Sequence, residues 1–144
     1  MSEETIAVAS DHAGFELKGA IKAELEAMGH TVLDLGTHGP ESVDYPAFAD
    51  AVAEALSDGR ASRGILVCGT GIGISIAANR HRHVRAALCH DSASARLARA
   101  HNDANVLAMG ARLIGIESAK DCVHTFFATA FEGGRHARRV AKLG

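Results

Sequence analysis

RGILVCGTGIG, residues 63–73, is the stretch on which the rest of the chain turns. Its first six residues form a compact apolar run of strand length. The next five alternate Gly with Thr and Ile, and a helical pattern follows over Ile74–Asn79. A buried strand that runs straight into a glycine-rich turn and a helix presents backbone amides and a positive helix end at one point, which suits an anion. The same turn can serve simple backbone packing, and its spacing alone does not separate the two readings. Two familiar phosphate loops fail on detail. The turn lacks a Gly-Lys-Ser/Thr ending, and position 74 is Ile where a GxGxxG dinucleotide loop needs its third Gly.

Upstream, Thr5–Ser10 (TIAVAS) reads as a first strand, with Asp11 as a turn or capping residue. Phe15, Leu17, Ile21, Leu25 and Met28 fall largely on one face of a helix over Phe15–Met28 that ends at Gly29. A second strand follows over Thr31–Leu35, then an irregular stretch over Gly36–Pro46 and a short helix over Ala47–Leu56. Downstream, the pattern predicts strands over Val84–Cys89 and Asn105–Met109 and helices over Ser92–His101, Glu117–Phe131 and His136–Leu143. Five short strands separated by helices make an α/β chain with a parallel sheet and helices on both faces, one domain over 1–144. Ligands in such sheets bind at the carboxyl ends of the strands where strand order reverses. If strands one and three are neighbours there, Asp11, His12 and Cys68–Gly73 share one rim.

Composition narrows the function. The chain has 144 residues, 47% hydrophobic and 22% charged, which is ordinary for a globular protein. A formal net charge of −2 argues against a general nucleic-acid binder. Glu3 and Glu4 precede the first apolar run, the reverse of a basic signal-peptide start, and no apolar stretch approaches membrane-spanning length. Three cysteines without CxxC spacing read as free thiols in a reducing cytoplasm.

Cys68 is the last strand residue before the glycine turn. A thiol facing a ring of amides and a helix N-terminus has its thiolate favoured, and can take a proton beside a carbonyl while the amides hold the enediolate. A small buried hydrophobe is the bland alternative, and it suffices for Cys89 and Cys122. Among nine histidines, His12 follows strand one and belongs on the ligand rim, while His101 closes the fourth helix beside Asn102. His81 and His83 form an HxH within the basic stretch Arg80–Arg85, but no partner has metal-ligand spacing, so a solvated turn is the better reading. Arg135 and Arg139 share a face of the last helix, and Arg112 follows the fifth strand; paired guanidinium groups match a phosphate's oxygens. A solvated basic tail accounts for the spacing about as well.

Taken together, these residues resemble the ribose-5-phosphate isomerase B family, which also contains allose- and galactose-phosphate isomerases. The matching stretches are Ser10–Gly14 (SDHAG), Asp44–Pro46 (DYP), Cys68–Gly73 (CGTGIG) with Ile74–Asn79, His101–Asn105 (HNDAN) and Phe131–His136 (FEGGRH). They span nearly the whole chain in order. The resemblance implies a three-layer α/β/α, Rossmann-like sandwich with a five-stranded parallel sheet and no metal or organic cofactor. It implies an aldose–ketose isomerase of D-ribose 5-phosphate and D-ribulose 5-phosphate. Cys68 would move the proton between C1 and C2. Gly69, Gly71 and Gly73 would form the anion hole with Thr70 assisting. His101 would help open the furanose ring, supported by Asp11. His12, Arg112, Arg135 and Arg139 would hold phosphate, and Tyr45 and Asn102 would contact the sugar. Another branch of the family uses a Glu seven residues after the position of Cys68; here that residue is Ser75. The resemblance further implies a homodimer or dimer of dimers with the site at the subunit interface. Two alternatives stand beside this reading: an isomerase of a six-carbon sugar phosphate such as allose 6-phosphate, and a small nucleotide-binding module.

Overall fold

The computed structural model describes residues 3–144. Five strands, β1 (Thr5–Ser10), β2 (Thr31–Asp34), β3 (Arg63–Cys68), β4 (Ala86–Leu88) and β5 (Val106–Gly110), form one sheet in the order β2-β1-β3-β5-β4. Every pairing is parallel. Six helices accompany them: α1 (Phe15–Ala27), α2 (Tyr45–Ser57), α3 (Ile72–Asn79), α4 (Ser92–Asn102), α5 (Ile116–Ala128) and α6 (Arg135–Ala141). From β1 the chain steps to β2 on one side, then crosses back to β3 on the other. Strand order therefore reverses between β1 and β3, which are neighbours.

The two faces of the sheet carry different side chains because alternate residues point to opposite sides. Ile6, Val8, Ile65, Val67, Leu107 and Met109 face one way and pack with buried residues of α1, α4 and α5. Ala7, Ala9, Leu66, Cys68, Val106 and Ala108 face the other way, toward α2 and α3. The second face is built mainly from small residues, so α2 and α3 lie close to the sheet. Cys68 belongs to this closely packed layer and is buried.

The element boundaries differ from expectation in instructive places. Tyr45, expected in the irregular stretch, is the first residue of α2, and Pro46 lies in the first turn, where a missing N–H leaves no bond unmade. Strand four shrinks from Val84–Cys89 to Ala86–Leu88 because it is an edge strand, and Arg85 N–H is taken by the Asn105 side chain at 2.7 Å. Helix α5 stops at Ala128: Thr129 is extended, and Gly133 and Gly134 have positive φ, which turns the chain into α6. Among the described residues, no helix is long and apolar enough to cross a membrane.

Candidate active site

The register of β1, β3 and β5 sets three chain exits side by side. Ser10 pairs with Val67 and Cys68 with Gly110, so Asp11–His12, Gly69–Gly73 and Ala111–Arg112 all leave the sheet at one rim. Cys68 Sγ accepts the Gly71 N–H at 3.2 Å. Gly71 takes φ +77°, a conformation that side-chain-bearing residues rarely adopt, and this places its amide under the sulfur at the start of α3. Thr70 is exposed, and its Oγ1 accepts the Ile72 N–H at 3.2 Å. Ser75, at the position where a Glu would offer a second base, instead donates to the Ile72 carbonyl at 2.8 Å.

Side chains close over this turn. A Cβ on Gly69 would lie 3.1 Å from Arg112 Nη1, and one on Gly73 would lie 2.5 Å from the Tyr45 ring. The guanidinium and the phenol therefore rest directly on the turn's backbone. Asp11 is buried; its carboxylate accepts the Gly14 N–H at 3.2 Å, which caps a 3-10 turn over His12–Gly14. His12 Nδ1 accepts the Val43 N–H at 3.1 Å, leaving Nε2 as the ring's outward donor. Cys68, Thr70, Asp11, His12, Tyr45, Gly69, Gly71, Gly73 and Arg112 thus converge within one chain.

Two supports of this rim were not foreseen. His90 Nε2 accepts the Gly110 N–H at 3.0 Å, holding the strand end beneath Thr70. Lys18 is buried on α1, with Nζ 2.7 Å from Asp34 Oδ1 and 2.6 Å from the Thr37 carbonyl; Lys22 reaches Asp34 Oδ2 at 2.7 Å. This clamp ties down the 36–44 loop that supplies Val43 and leads to Tyr45. Burial alone would raise the Asp34 pKa, but the two ammonium groups and the Gly36 N–H outweigh it and hold the carboxyl at about 2. Nothing in the spacing of Lys18 marks it, since it falls on the apolar face of a helix that reads as amphipathic without it. Burial pushes the Cys89 thiol up and the Cys122 thiol to about 11, in keeping with inert core cysteines.

His101, Asn102, Arg135 and Arg139 lie elsewhere. Helix α4 starts beside the carboxyl end of β4 and runs back against the strands, so its eleven residues, about 16 Å long, carry the chain to His101 near the amino ends of the strands. There Asn105, three residues past Asn102, bonds Arg85 at the start of β4. His101 stacks on His136 with ring centroids 4.2 Å apart and planes 11° from parallel. Glu132 Oε1 is 3.8 Å from His101 Nε2 and 3.6 Å from His136 Nε2. Burial pushes the His136 imidazole below its ordinary range, and His101, Arg135 and Arg139 add to the effect against the opposing charge of Glu132. Glu132 and His136 were not singled out from sequence, although their four-residue spacing was visible. The HxH pair lies in a solvated turn, as expected, tethered to α2: His81 Nε2 is 2.7 Å from Asp50 and His83 Nε2 donates to the Ala53 carbonyl at 2.7 Å.

Comparison with known proteins gives one consistent answer. The model of a family described as Ribose/Galactose Isomerase matches residues 6–143. Ribose-5-phosphate isomerase B of Escherichia coli K12 is 50% identical over 138 residues, covering 96% of this chain and 93% of the relative. The fold superimposes on ribose-5-phosphate isomerase B of Clostridium thermocellum with a TM-score of 0.96 at 53% identity, over 97% of this chain and 95% of that one. The Thermotoga maritima structure gives 0.95 at 54% identity, over 97% of both chains.

Proposed function

The chain belongs to the ribose/galactose isomerase family, and on that footing we propose that it interconverts D-ribose 5-phosphate and D-ribulose 5-phosphate through an enediolate. The observation that carries this reading is the buried Cys68 Sγ, 3.2 Å from an amide of a glycine turn on whose backbone Arg112 and Tyr45 rest. His101 gives a proton to the furanose oxygen as its bond to C1 breaks, Asp11 supports the step by accepting the C1 hydroxyl proton, and the open aldose forms. Cys68 thiolate takes the C2 proton, and the carbonyl electrons move onto O1. The Gly69–Gly73 amides hold that charge, with Thr70 assisting. The proton returns to C1 while the O2 hydroxyl proton ends on O1, which yields the ketose. His12, Arg112, Arg135 and Arg139 hold the phosphate, and Tyr45 and Asn102 position the sugar. No metal or organic cofactor enters the reaction.

A second copy of the chain completes the site. Cys68 lies at the carboxyl end of β3, while α4 runs back against the strands and carries His101 toward their amino ends, which supports a site completed by a second chain. A two-fold pairing brings the His101 edge of one protomer to the Cys68 rim of the other. Leu88 on the edge strand and Ile72 and Ile76 on α3 are exposed apolar residues available to that contact. A homodimer or a dimer of dimers satisfies this requirement.

The test is the specificity constant on ribose 5-phosphate and on allose 6-phosphate with EDTA present, for wild type and Cys68→Ala. Preference for the pentose, lost on substitution, is the expected outcome. Preference for the hexose would keep the chemistry and change the substrate, while no turnover of either would overturn the proposal. Relatives of this identity do not favour the six-carbon or nucleotide alternatives.

A further inference from the structure

Glu132 belongs to neither the glycine turn nor the phosphate-binding arginines, yet it is held against the histidine that opens the sugar ring. Its backbone N–H donates to the Ala100 carbonyl at 3.0 Å, which fixes it beside His101. Its Oε1 then lies 3.8 Å from His101 Nε2 and 3.6 Å from His136 Nε2, at the shared edge of the two stacked rings. His136 is buried, and its Nε2 has no hydrogen-bond partner. It forms a fixed wall against which His101, partly exposed on the last turn of α4, lies flat. Gly133 and Gly134, both with positive φ, fold the chain so that Glu132 and His136 reach the same spot.

Two imidazoles and a carboxylate are also the components of a metal site. Parallel rings 4.2 Å apart, however, cannot both aim a lone pair at one ion, whereas one carboxylate can lie against the edges of both. The arrangement suits the orientation of a proton-bearing ring. A carboxylate facing Nε2 favours the tautomer that carries its proton there.

We propose that Glu132 is a positioning residue: with His136 as backing, its carboxylate holds the His101 ring in the orientation that ring opening needs, and it takes no part in the C1–C2 proton transfer. The proposal rests on the assignment of His101 above. It separates two steps that one substitution can tell apart. Ribose 5-phosphate enters as a closed ring, but ribulose 5-phosphate has its O5 esterified and cannot close a five-membered ring. Only the forward direction therefore begins with ring opening.

Glu132→Gln keeps the shape and removes the charge at a mostly exposed position, so the fold is retained. The expected result is a fall of about tenfold or more in forward kcat on ribose 5-phosphate, with KM changed by less than about twofold. In D2O, enzyme-catalysed loss of the C1 proton signal of ribulose 5-phosphate should stay within about twofold of wild type, while Cys68→Ala abolishes it. An equal fall in both reactions would make Glu132 merely structural and overturn the proposal, as would an unchanged forward rate. A wild type inactive on both sugars would overturn the isomerase reading itself, and this distinct result would be seen before any variant was compared.

Discussion

The thiol of Cys68 meets an amide at 3.2 Å on the one rim where Asp11, His12, Tyr45 and Arg112 also gather. Its replacement by Ala removes the base and little else, because the neighbouring layer is already built from small side chains. Cys68→Ala is expected to lower kcat by about a thousandfold or more, within the range of a lost general base, while calorimetric binding of ribose 5-phosphate changes by less than about threefold. Loss of binding with normal residual turnover would contradict the role. At this scale most of the rim was legible in sequence, since Cys68, the glycine turn and His12 all sit at strand ends. Glu132, His90 and Lys18 were not. Each acts on a partner distant in the chain, Glu132 on His101, His90 on Gly110 and Lys18 on Asp34, and no local spacing encodes those contacts.

Backbone approach governs the elements. A Cβ on Gly110 would fall 2.4 Å from the Thr70 carbonyl, where only main chain could yield, whereas one on Gly73 would meet the movable Tyr45 ring. Gly110→Ala should therefore cost about 2–3 kcal/mol in thermal or denaturant unfolding and displace the Cys68 turn. Gly73→Ala should leave stability nearly intact and chiefly raise KM. Equal effects of the two would refute this account of the turn. The Lys18–Asp34 clamp adds a pH signature. The Asp34 carboxyl is depressed from 3.8 to about 2 in the folded protein. Its contribution is fully present above pH 3.8 and is lost as pH falls toward about 2. Asp34→Asn also leaves the buried Lys18 ammonium without its counter-charge, at a cost of about 3 kcal/mol near neutral pH. The stability gap between wild type and this variant should narrow across that acid window; a gap independent of pH would contradict the clamp. Helix and strand types followed from hydrophobic period, but ends such as Tyr45 and Ala128 were set by a proline in a first turn and by glycines ahead of α6.

In the whole molecule, parallel topology sends each crossover helix back against its strand, so His101 lies toward the amino ends of the strands and Cys68 at a carboxyl end. The motifs were readable along the chain, and the alternation of strands and helices announced the sheet. Which motifs meet within one chain depends on helix direction and strand order. The proposed site takes Cys68 from one copy and His101 from another, and subunit mixing tests this most directly. Cys68→Ala and His101→Ala are each expected to be inactive alone. After exchange of equal amounts, half the dimers are hybrids with one intact site, so activity should return to about a quarter of wild type. Recovery near that level confirms the shared site, and a mixture that stays inactive although hybrid dimers are demonstrably present would contradict it.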